Sequence, residues 1–414
     1  MELRRVVITG VGALTPIGNN VAEYWDGLLT GKNGVNPITH FDATGYRTTF
    51  ACELKGFDVS KYMDPREARK MDNSSLYAIA AAVEAMTDAG LAPGTYNPDR
   101  AGAIIGSGIG GVTTSAYEIT EQAETGGVPR YSPFFILRSL SNMIAGNLSL
   151  RFNLRGPAYI VSAACTSAAV ALWNACNFIR SGQCDLILSG GTEAGIAPVG
   201  IGGFNSMRAL STRNDDIYTA SRPFSIGRDG FVMGEGAGIL ILEEYEHAVK
   251  RGAHIYAEIA GIGLTTDAYH STHPRPDGAG ARLAMKLALQ EGRIAPENVK
   301  HINTHGTSTP LGDNAECRAI QDLFGKHAEN ILYNSTKSMT GHLMGAGTAI
   351  ESIATILELQ NGVVHPTINF MGQDPELPKW NFCIYGPEEC EMDYALCNAF
   401  GFGGHNASIL YKKI

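Results

Sequence analysis

The sequence predicts an α/β fold in which buried strands alternate with helices. Short apolar runs at 6–9, 103–105 and 186–188 each meet closely spaced glycines, as expected where a strand enters a tight turn. Apolar residues recur at helical spacing between such runs, notably over 76–89 and 168–179. This alternation is typical of α/β proteins whose sheets are covered by helices on both faces.

A weak internal repeat accompanies this pattern. Residues 7–15 align with 258–266, where an isoleucine, two glycines and a threonine coincide, and 185–191 resembles 396–404. Duplication and convergence explain these short matches equally well, because strands that run into glycines are common in α/β proteins. Duplication would divide the chain near residue 252, into 1–252 and 253–414.

Charge and composition exclude several classes of partner. The 414 residues contain 32 Lys and Arg against 41 Asp and Glu, a net charge of −9, which argues against nucleic acid and anionic membranes. No apolar run approaches the ~18 residues of a membrane span. The first residues enter a strand-like run without a signal-peptide pattern. None of the eight cysteines forms a CxxC pair, so we expect reduced thiols in a cytoplasmic protein.

Cys165 is the strongest candidate for a nucleophile. An apolar strand end at Val161 turns through small residues into a helical pattern, and Cys165 stands at the junction. A thiol at a helix N-terminus faces the positive end of the helix dipole and unpaired N–H groups, which favour the nucleophilic thiolate. The alternative is that Cys165 is a small buried residue, as we expect for Cys176.

Three later segments place histidines in loops rich in glycine and hydroxyl groups. His305 follows a short apolar stretch, Lys337 and His342 precede a helical run at 349–359, and His405 ends a glycine-rich segment. A single histidine in such a loop is more often a hydrogen-bonded structural residue than a catalyst. Together with a cysteine at a helix start, however, they favour a site for covalent catalysis.

Other chemistries fit poorly. The glycines of the segment 10–12 lack the third glycine of a dinucleotide-binding fingerprint. His270, His301 and His305 do not have the spacing of zinc ligands, and the segment 106–108 is not a G-x-S-x-G elbow. Hydride transfer, zinc catalysis and serine hydrolysis are therefore disfavoured.

Long motifs in this chain resemble those of a known family. The segments 209–215, 228–238 and 337–342 are similar to the condensing enzymes of the thiolase superfamily, and specifically to the type II β-ketoacyl-[acyl-carrier-protein] synthases of bacterial fatty-acid synthesis. The resemblance extends along the whole chain. It implies a thiolase-like, five-layered αβαβα fold of two similar halves, a homodimer, and no metal or organic cofactor, since the phosphopantetheine arrives on the carrier protein.

The resemblance also implies roles for individual residues. Cys165 matches the acyl-accepting nucleophile, and His305 and His342 match the histidine pair that promotes decarboxylation of a malonyl thioester. Lys337 and Glu351 match the active-site lysine and its acidic partner.

Further positions match the family's gate and substrate pocket. Phe402 corresponds to a gating phenylalanine whose N–H joins that of Cys165 in an oxyanion hole. Ile109 corresponds to the residue whose bulk limits acyl-chain depth. The resemblance adds three further residues to the substrate-binding set, namely Phe400, Thr307 and Thr309.

The implied reaction is a decarboxylative Claisen condensation that lengthens an acyl chain by two carbons. A ketosynthase of a specialised polyketide or pigment pathway would share the same catalytic residues. A non-elongating chain-length-factor-like subunit is disfavoured because such proteins usually carry glutamine where Cys165 stands. Enzymes that use coenzyme A thioesters replace one histidine, whereas His305 and His342 are both present.

An acidic acyl carrier protein needs a basic docking patch on an otherwise acidic enzyme. Arg66, Arg69 and Lys70 have near-helical spacing and match the family's docking region, as do Arg130 and Arg208. An ordinary solvated helix face would show the same charges.

Overall fold

The computed structural model describes residues 3–128 and 130–414. The strands are β1 Val6–Leu14, β2 Asn36–Pro37, β3 Phe50–Ala51, β4 Ala101–Gly106, β5 Ala158–Val161, β6 Leu186–Glu193, β7 Gly236–Glu244, β8 Ala257–Thr266, β9 His301–Asn303, β10 Leu332–Asn334, β11 Val363–Val364, β12 Glu388–Glu389, β13 Tyr394–Gly401 and β14 His405–Lys412. The helices are α1 Val21–Leu29, α2 Pro65–Ala68, α3 Asn73–Asp88, α4 Val112–Thr125, α5 Phe135–Ser139, α6 Met143–Phe152, α7 Ser167–Arg180, α8 Pro198–Ser206, α9 Tyr245–Lys250, α10 Ala279–Gly292, α11 Pro310–Phe324, α12 Lys337–Thr340 and α13 Gly347–Asn361.

The main sheet repeats one strand order in two halves. Its order is β10-β9-β13-β14-β8-β1-β7-β6-β4-β5. Followed outward from the centre, one half has the order β8-β14-β13-β9-β10 and the other has the corresponding order β1-β7-β6-β4-β5. The two sets meet where β1 pairs with β8 at Val7–Glu258 and Ile8–Ala257. The segments of the weak internal repeat therefore occupy matching strands. A division at residue 252 falls between α9 and β8 and stays a prediction.

Helices pack on both faces of each set of strands, and one pair of helices lies between the two sets. The α3 helix packs outside the first set, α10 packs outside the second, and α7 and α13 lie between them. The middle helices share one buried cluster that includes Ala168, Leu172, Ile350 and Ile353. The α/β fold with five layers is thus confirmed. The middle layer matters most for function, because α7 and α13 begin close to Cys165 and His342.

Glycines inside β1 and β8 allow close helix packing. The sequence predicts that β1 ends near Gly10, but the strand continues to Leu14, so this expectation is wrong. A Cβ on Gly12 would lie 2.0 Å from the carbonyl oxygen of Ala81 in α3, and one on Gly263 would lie 1.9 Å from that of Ala284 in α10. Both halves therefore use glycine to bring a helix backbone against a strand.

The predicted helices are present with slightly longer or shifted bounds. The runs predicted at 76–89, 168–179 and 349–359 correspond to α3, α7 and α13. Shifts of this size are usual because caps, rather than apolar spacing, decide where a helix begins. Across residues 3–128 and 130–414, no helix combines the length and the apolar character that crossing a bilayer requires.

Candidate active site

Cys165 lies in a sharp turn between β5 and α7. The preceding residue, Ala164, adopts φ +50°, a left-handed conformation that is uncommon for residues with a side chain. The Ser167 hydroxyl stabilises the turn by donating to the Ala164 carbonyl at 2.7 Å and accepting from the Ala163 N–H at 2.9 Å. Cys165 is 6% exposed and lines a cavity of about 420 Å³.

Two histidines reach the same cavity from the second half of the chain. His305 follows β9 and His342 follows α12. The Nε2 atom of His342 lies 3.0 Å from Cys165 Sγ, and the two imidazole rings are nearly perpendicular with centroids 5.5 Å apart. The sulfur and one nitrogen of each ring lie within 4.8 Å of one another. The fold therefore brings together three residues that stand far apart in the sequence.

The pKa of the Cys165 thiol is raised, in the direction opposite to that expected from its place at a helix start. Burial raises this pKa to about 11, although the Lys337 ammonium and the backbone N–H of Phe402 act in the opposite direction. Removal of the sulfur from water thus outweighs the stabilisation that nearby donors and positive charge provide.

Both histidines are neutral. Burial lowers the pKa of His305 and of His342 well below the ordinary value, and the charge of Lys337 lowers both further. Among the described residues, neither Nδ1 atom has a hydrogen-bond partner. Since no Nδ1 partner fixes the tautomer, His342 Nε2 can accept the thiol proton in one state and donate to an oxyanion in another.

Lys337 and Glu351 form a buried ion pair beside the histidines. Lys337 is 2% exposed in α12, and its Nζ donates to Glu351 Oε1 in α13. Burial raises the pKa of Glu351 against the effect of Lys337. The positive charge of the lysine is thereby held close to the imidazoles, where it adds to the lowering of their pKa by burial.

The end of β13 lies against Cys165. A Cβ on Gly401, the last residue of this strand, would lie 3.1 Å from the Cys165 backbone nitrogen, so a glycine lets the two segments approach this closely. The following N–H, that of Phe402, is directed at the thiol, while the Phe402 ring lies 6.4 Å from the ring of Phe204. Gly403 at φ +83° then turns the chain into β14.

The substrate-binding residues expected from the resemblance are placed unequally. Phe400, Thr307 and Thr309 line the cavity with Cys165. The Phe400 ring is 5.7 Å from His305, and the two threonine hydroxyls are 2.9 Å apart. Ile109 is not among the residues that line this cavity, and its N–H donates to Glu193 at 3.2 Å. That the bulk of Ile109 limits how far an acyl chain can enter the site stays a prediction.

Four of the five basic residues expected at a docking surface are exposed. Arg66, Arg69 and Arg130 are exposed, whereas Lys70 is half-buried and pairs with Glu67 at 2.6 Å. Arg208 is exposed as well and lines the cavity containing Cys165.

Sequence reasoning missed two buried carboxylates. Glu316 in α11 accepts the N–H groups of His305 and Gly306, both at 2.9 Å. Glu193 at the end of β6 accepts those of Gly108 at 2.7 Å and Gly345 at 2.9 Å. The sequence signal for both is an acidic residue inside an otherwise apolar strand or helix face, which indicates a buried carboxylate with specific partners.

The same three catalytic candidates form a possible metal-ligating set. Within the described residues, Cys165, His305 and His342 are the one group of three such side chains close enough to share an ion. A thiolate with two imidazoles suits zinc. The reaction considered below uses the sulfur as a nucleophile and requires no metal.

Comparison with known proteins identifies the family. The model for the N-terminal domain of beta-ketoacyl synthases matches residues 3–248, and the model for the C-terminal domain matches residues 256–371.

The chain belongs to the beta-ketoacyl synthase family.

Full-length relatives of the family have specific names. The chain is 46% identical to 3-oxoacyl-[acyl-carrier-protein] synthase 2 of Vibrio harveyi, with all of both chains covered, and 45% identical to the protein of that name from Synechocystis, covering 100% of this chain and 99% of that one.

Solved structures of the family share the fold. A beta-ketoacyl synthase from Burkholderia phymatum gives a TM-score of 0.92 at 33% identity, covering 99% of this chain and all of that one. A type II polyketide ketosynthase, solved in complex with its acyl-carrier protein and bound to the hexaketide, gives 0.92 at 33% identity with all of both chains covered.

Proposed function

We propose that the chain is a β-ketoacyl-[acyl-carrier-protein] synthase II, an acyltransferase that condenses a Cys165-bound acyl group with malonyl carrier protein in fatty-acid elongation. The contact of 3.0 Å between Cys165 Sγ and His342 Nε2, with His305 in the same cavity, carries this proposal. Relatives at 45–46% identity bear the corresponding name.

In the first half-reaction, Cys165 accepts the acyl group. Its sulfur attacks the carbonyl carbon of the acyl thioester while the thiol proton passes to His342 Nε2. The backbone N–H groups of Cys165 and Phe402 hold the tetrahedral oxyanion. The bond to the carrier's sulfur then breaks, and that sulfur leaves with the proton from His342.

In the second half-reaction, malonyl carrier protein loses carbon dioxide. The bond between its α-carbon and its carboxylate breaks, and the electron pair becomes an enolate whose oxygen accepts N–H donors from His305 and His342. The α-carbon attacks the acyl carbonyl on Cys165. The carbon–sulfur bond breaks, the Cys165 sulfur takes up a proton from solvent, and a β-ketoacyl chain two carbons longer leaves on the carrier.

The proton transfer to His342 leads to a test by alkylation. We expect iodoacetamide to alkylate Cys165 of the His342→Ala variant about tenfold faster for each pH unit between pH 7 and 9, because the thiolate fraction rises tenfold per unit below a pKa of about 11. The native protein should show a shallower slope, since His342 can take the proton during attack. Mass spectrometry of the Cys165 peptide gives both rates. Identical slopes would exclude His342 as the acceptor.

The carrier protein is proposed to dock on a basic surface formed by Arg66, Arg69, Lys70, Arg130 and Arg208. The exposure of four of these cations supports this placement, as does the position of Arg208 at the cavity. Carrier docking would bring the pantetheine arm to Cys165 past the Thr307 and Thr309 hydroxyls.

Charge reversal tests the docking surface. The triple variant Arg66→Glu, Arg69→Glu, Lys70→Glu should raise KM for carrier-bound substrates by about tenfold or more, since electrostatic complementarity governs encounter with an acidic partner. KM for small thioester mimics should change little. The matched control is Arg155→Glu, an exposed cation paired with Asp99 at 2.9 Å. Equal changes for both substrate types would remove the docking assignment.

We also propose that each chain consists of two halves, residues 1–252 and 253–414, and that two such chains form a cytoplasmic homodimer. Exposed apolar side chains are frequent along the segment from α4 to α7, among them Ile136, Leu137, Leu150 and Trp173, and exposed apolar surface is typical of protein interfaces. The eight cysteines are free thiols, which suits a reducing compartment. Light scattering should give twice the mass of one chain.

The alternative is a ketosynthase of a specialised pathway. A ketosynthase of a type II polyketide system at 33% identity and an ishigamide ketosynthase/chain length factor at 32% identity share the fold, and Cys165 with both histidines would serve either pathway. Incubation with malonyl carrier protein and acyl carrier proteins of graded length, followed by mass spectrometry, separates the two. Saturated β-ketoacyl products over a range of lengths support fatty-acid elongation. Failure to elongate any simple acyl chain would reject that assignment.

A further inference from the structure

A fully buried ionic cluster lies behind the two catalytic histidines. Its members are Glu358 of α13, His301 of β9, Asn334 of β10 and His365, each 0% exposed. None of them lines the cavity that contains Cys165, and the mechanism above uses none of them. We call these four residues the Glu358 cluster.

Both ring nitrogens of His301 lie in hydrogen-bond contacts inside this cluster. Its Nδ1 lies 3.0 Å from the Leu332 carbonyl oxygen and its Nε2 lies 2.9 Å from Glu358 Oε2. Burial alone would raise the pKa of Glu358, but the neighbouring imidazoles of His301 and His365 and the hydrogen bonds that they and the backbone provide bring it below the ordinary value. Glu358 is therefore a carboxylate whose oxygens are held by this cluster.

The cluster is joined to His305 through Asn334. The Asn334 side chain donates to Glu358 Oε1 at 2.6 Å. Its backbone carbonyl accepts the N–H of Thr304 at 2.9 Å and the Thr304 hydroxyl at 2.6 Å. Because Thr304 immediately precedes His305, the ion pair fixes the backbone from which the imidazole projects.

A second connection leads to Lys337. The His365 N–H donates to Glu358 Oε1 at 3.0 Å. The Thr336 hydroxyl accepts from Asn303 Nδ2 and lies in hydrogen-bond contact with His365 Nε2, each at 3.0 Å. Thr336 immediately precedes Lys337, so the same carboxylate holds both segments.

We infer that His301 and Glu358 are a positioning pair that holds His305 and Lys337 in the geometry needed for malonyl decarboxylation. This inference rests on the proposed function. A buried ion pair is costly unless its hydrogen bonds are all satisfied, and here the carboxylate accepts three donors. Cys165 is held instead by the turn between β5 and α7, so we expect its acylation to respond to the pair far less than decarboxylation does.

The test compares the two half-reactions in the Glu358→Gln variant. Single-turnover release of carbon dioxide from malonyl carrier protein by pre-acylated enzyme should slow by about 10- to 100-fold, since small misplacements of catalytic groups have effects of that order. The rate of Cys165 acylation should change by less than about twofold on the same argument. KM for the malonyl substrate should stay the same.

The matched control is Glu243→Gln. Glu243 is a fully buried carboxylate of β7 that binds Arg251 and His247, and it does not line the cavity. A similar loss of thermal stability without a change in either half-reaction is expected. This control separates a positioning effect from general destabilisation.

A second variant keeps the inference testable if Glu358→Gln folds poorly. Asn334→Ala removes the side-chain hydrogen bond from Asn334 to Glu358 but leaves the contact between His301 and Glu358, and it should slow decarboxylation selectively as well. Unchanged decarboxylation in both variants, or equal loss of both half-reactions, would each overturn the inference. A native enzyme that releases no carbon dioxide would instead reject the proposed function.

Discussion

Replacing Cys165 by alanine is expected to abolish formation of the acyl-enzyme and with it all chain elongation. No other cysteine lines the cavity that contains His305 and His342, so within the described residues no second thiol can accept the acyl group there. Where a nucleophile and its base work together, removal of the nucleophile lowers the rate by a factor of about 10⁶. Intact-protein mass spectrometry after incubation with acyl carrier protein measures the adduct directly.

The control is Cys176→Ala. Cys176 is buried in α7 with 0% exposure and does not line the cavity, so this variant should acylate normally. The Cys165→Gln variant should lose elongation but retain malonyl decarboxylation, because His305, His342 and Lys337 remain in place. Elongation by the Cys165→Ala protein would show that the nucleophile is assigned wrongly.

The second large effect is expected from the two histidines, and it should differ between them. His305→Ala should slow malonyl decarboxylation by about 10²–10³, the usual cost of removing one oxyanion donor, and should leave Cys165 acylation nearly unchanged. His342→Ala should impair both half-reactions, because its Nε2 lies 3.0 Å from the Cys165 sulfur. Single-turnover acylation and carbon dioxide release measure the two steps separately.

His254→Ala provides the control for this pair. His254 is exposed and packs on Tyr256, with ring centroids 4.5 Å apart, so its loss should change neither half-reaction. If His305→Ala and His342→Ala slowed both steps to the same extent, the division of labour proposed for the two rings would be wrong.

Much of the fold could be predicted from local patterns. Apolar spacing predicted α3, α7 and α13, and the glycine pattern shared by residues 7–15 and 258–266 corresponds to the matching strands β1 and β8. The ends of the strands could not be predicted this way. Glycine favours turns, but Gly12 and Gly263 stand inside strands because a helix backbone packs against them, and that contact is not local in sequence.

For the site, local sequence patterns identify the reactive groups. They place Cys165 between a strand and a helix and His305, Lys337 and His342 in loops, because turns and helix starts depend on neighbouring residues. That these groups meet, and how their pKa values shift, depends on the folded chain. Burial raises the pKa of the Cys165 thiol and lowers the pKa of both imidazoles. The reason is that pKa values follow from desolvation and from charges brought close by folding, neither of which the order of residues along the chain reveals.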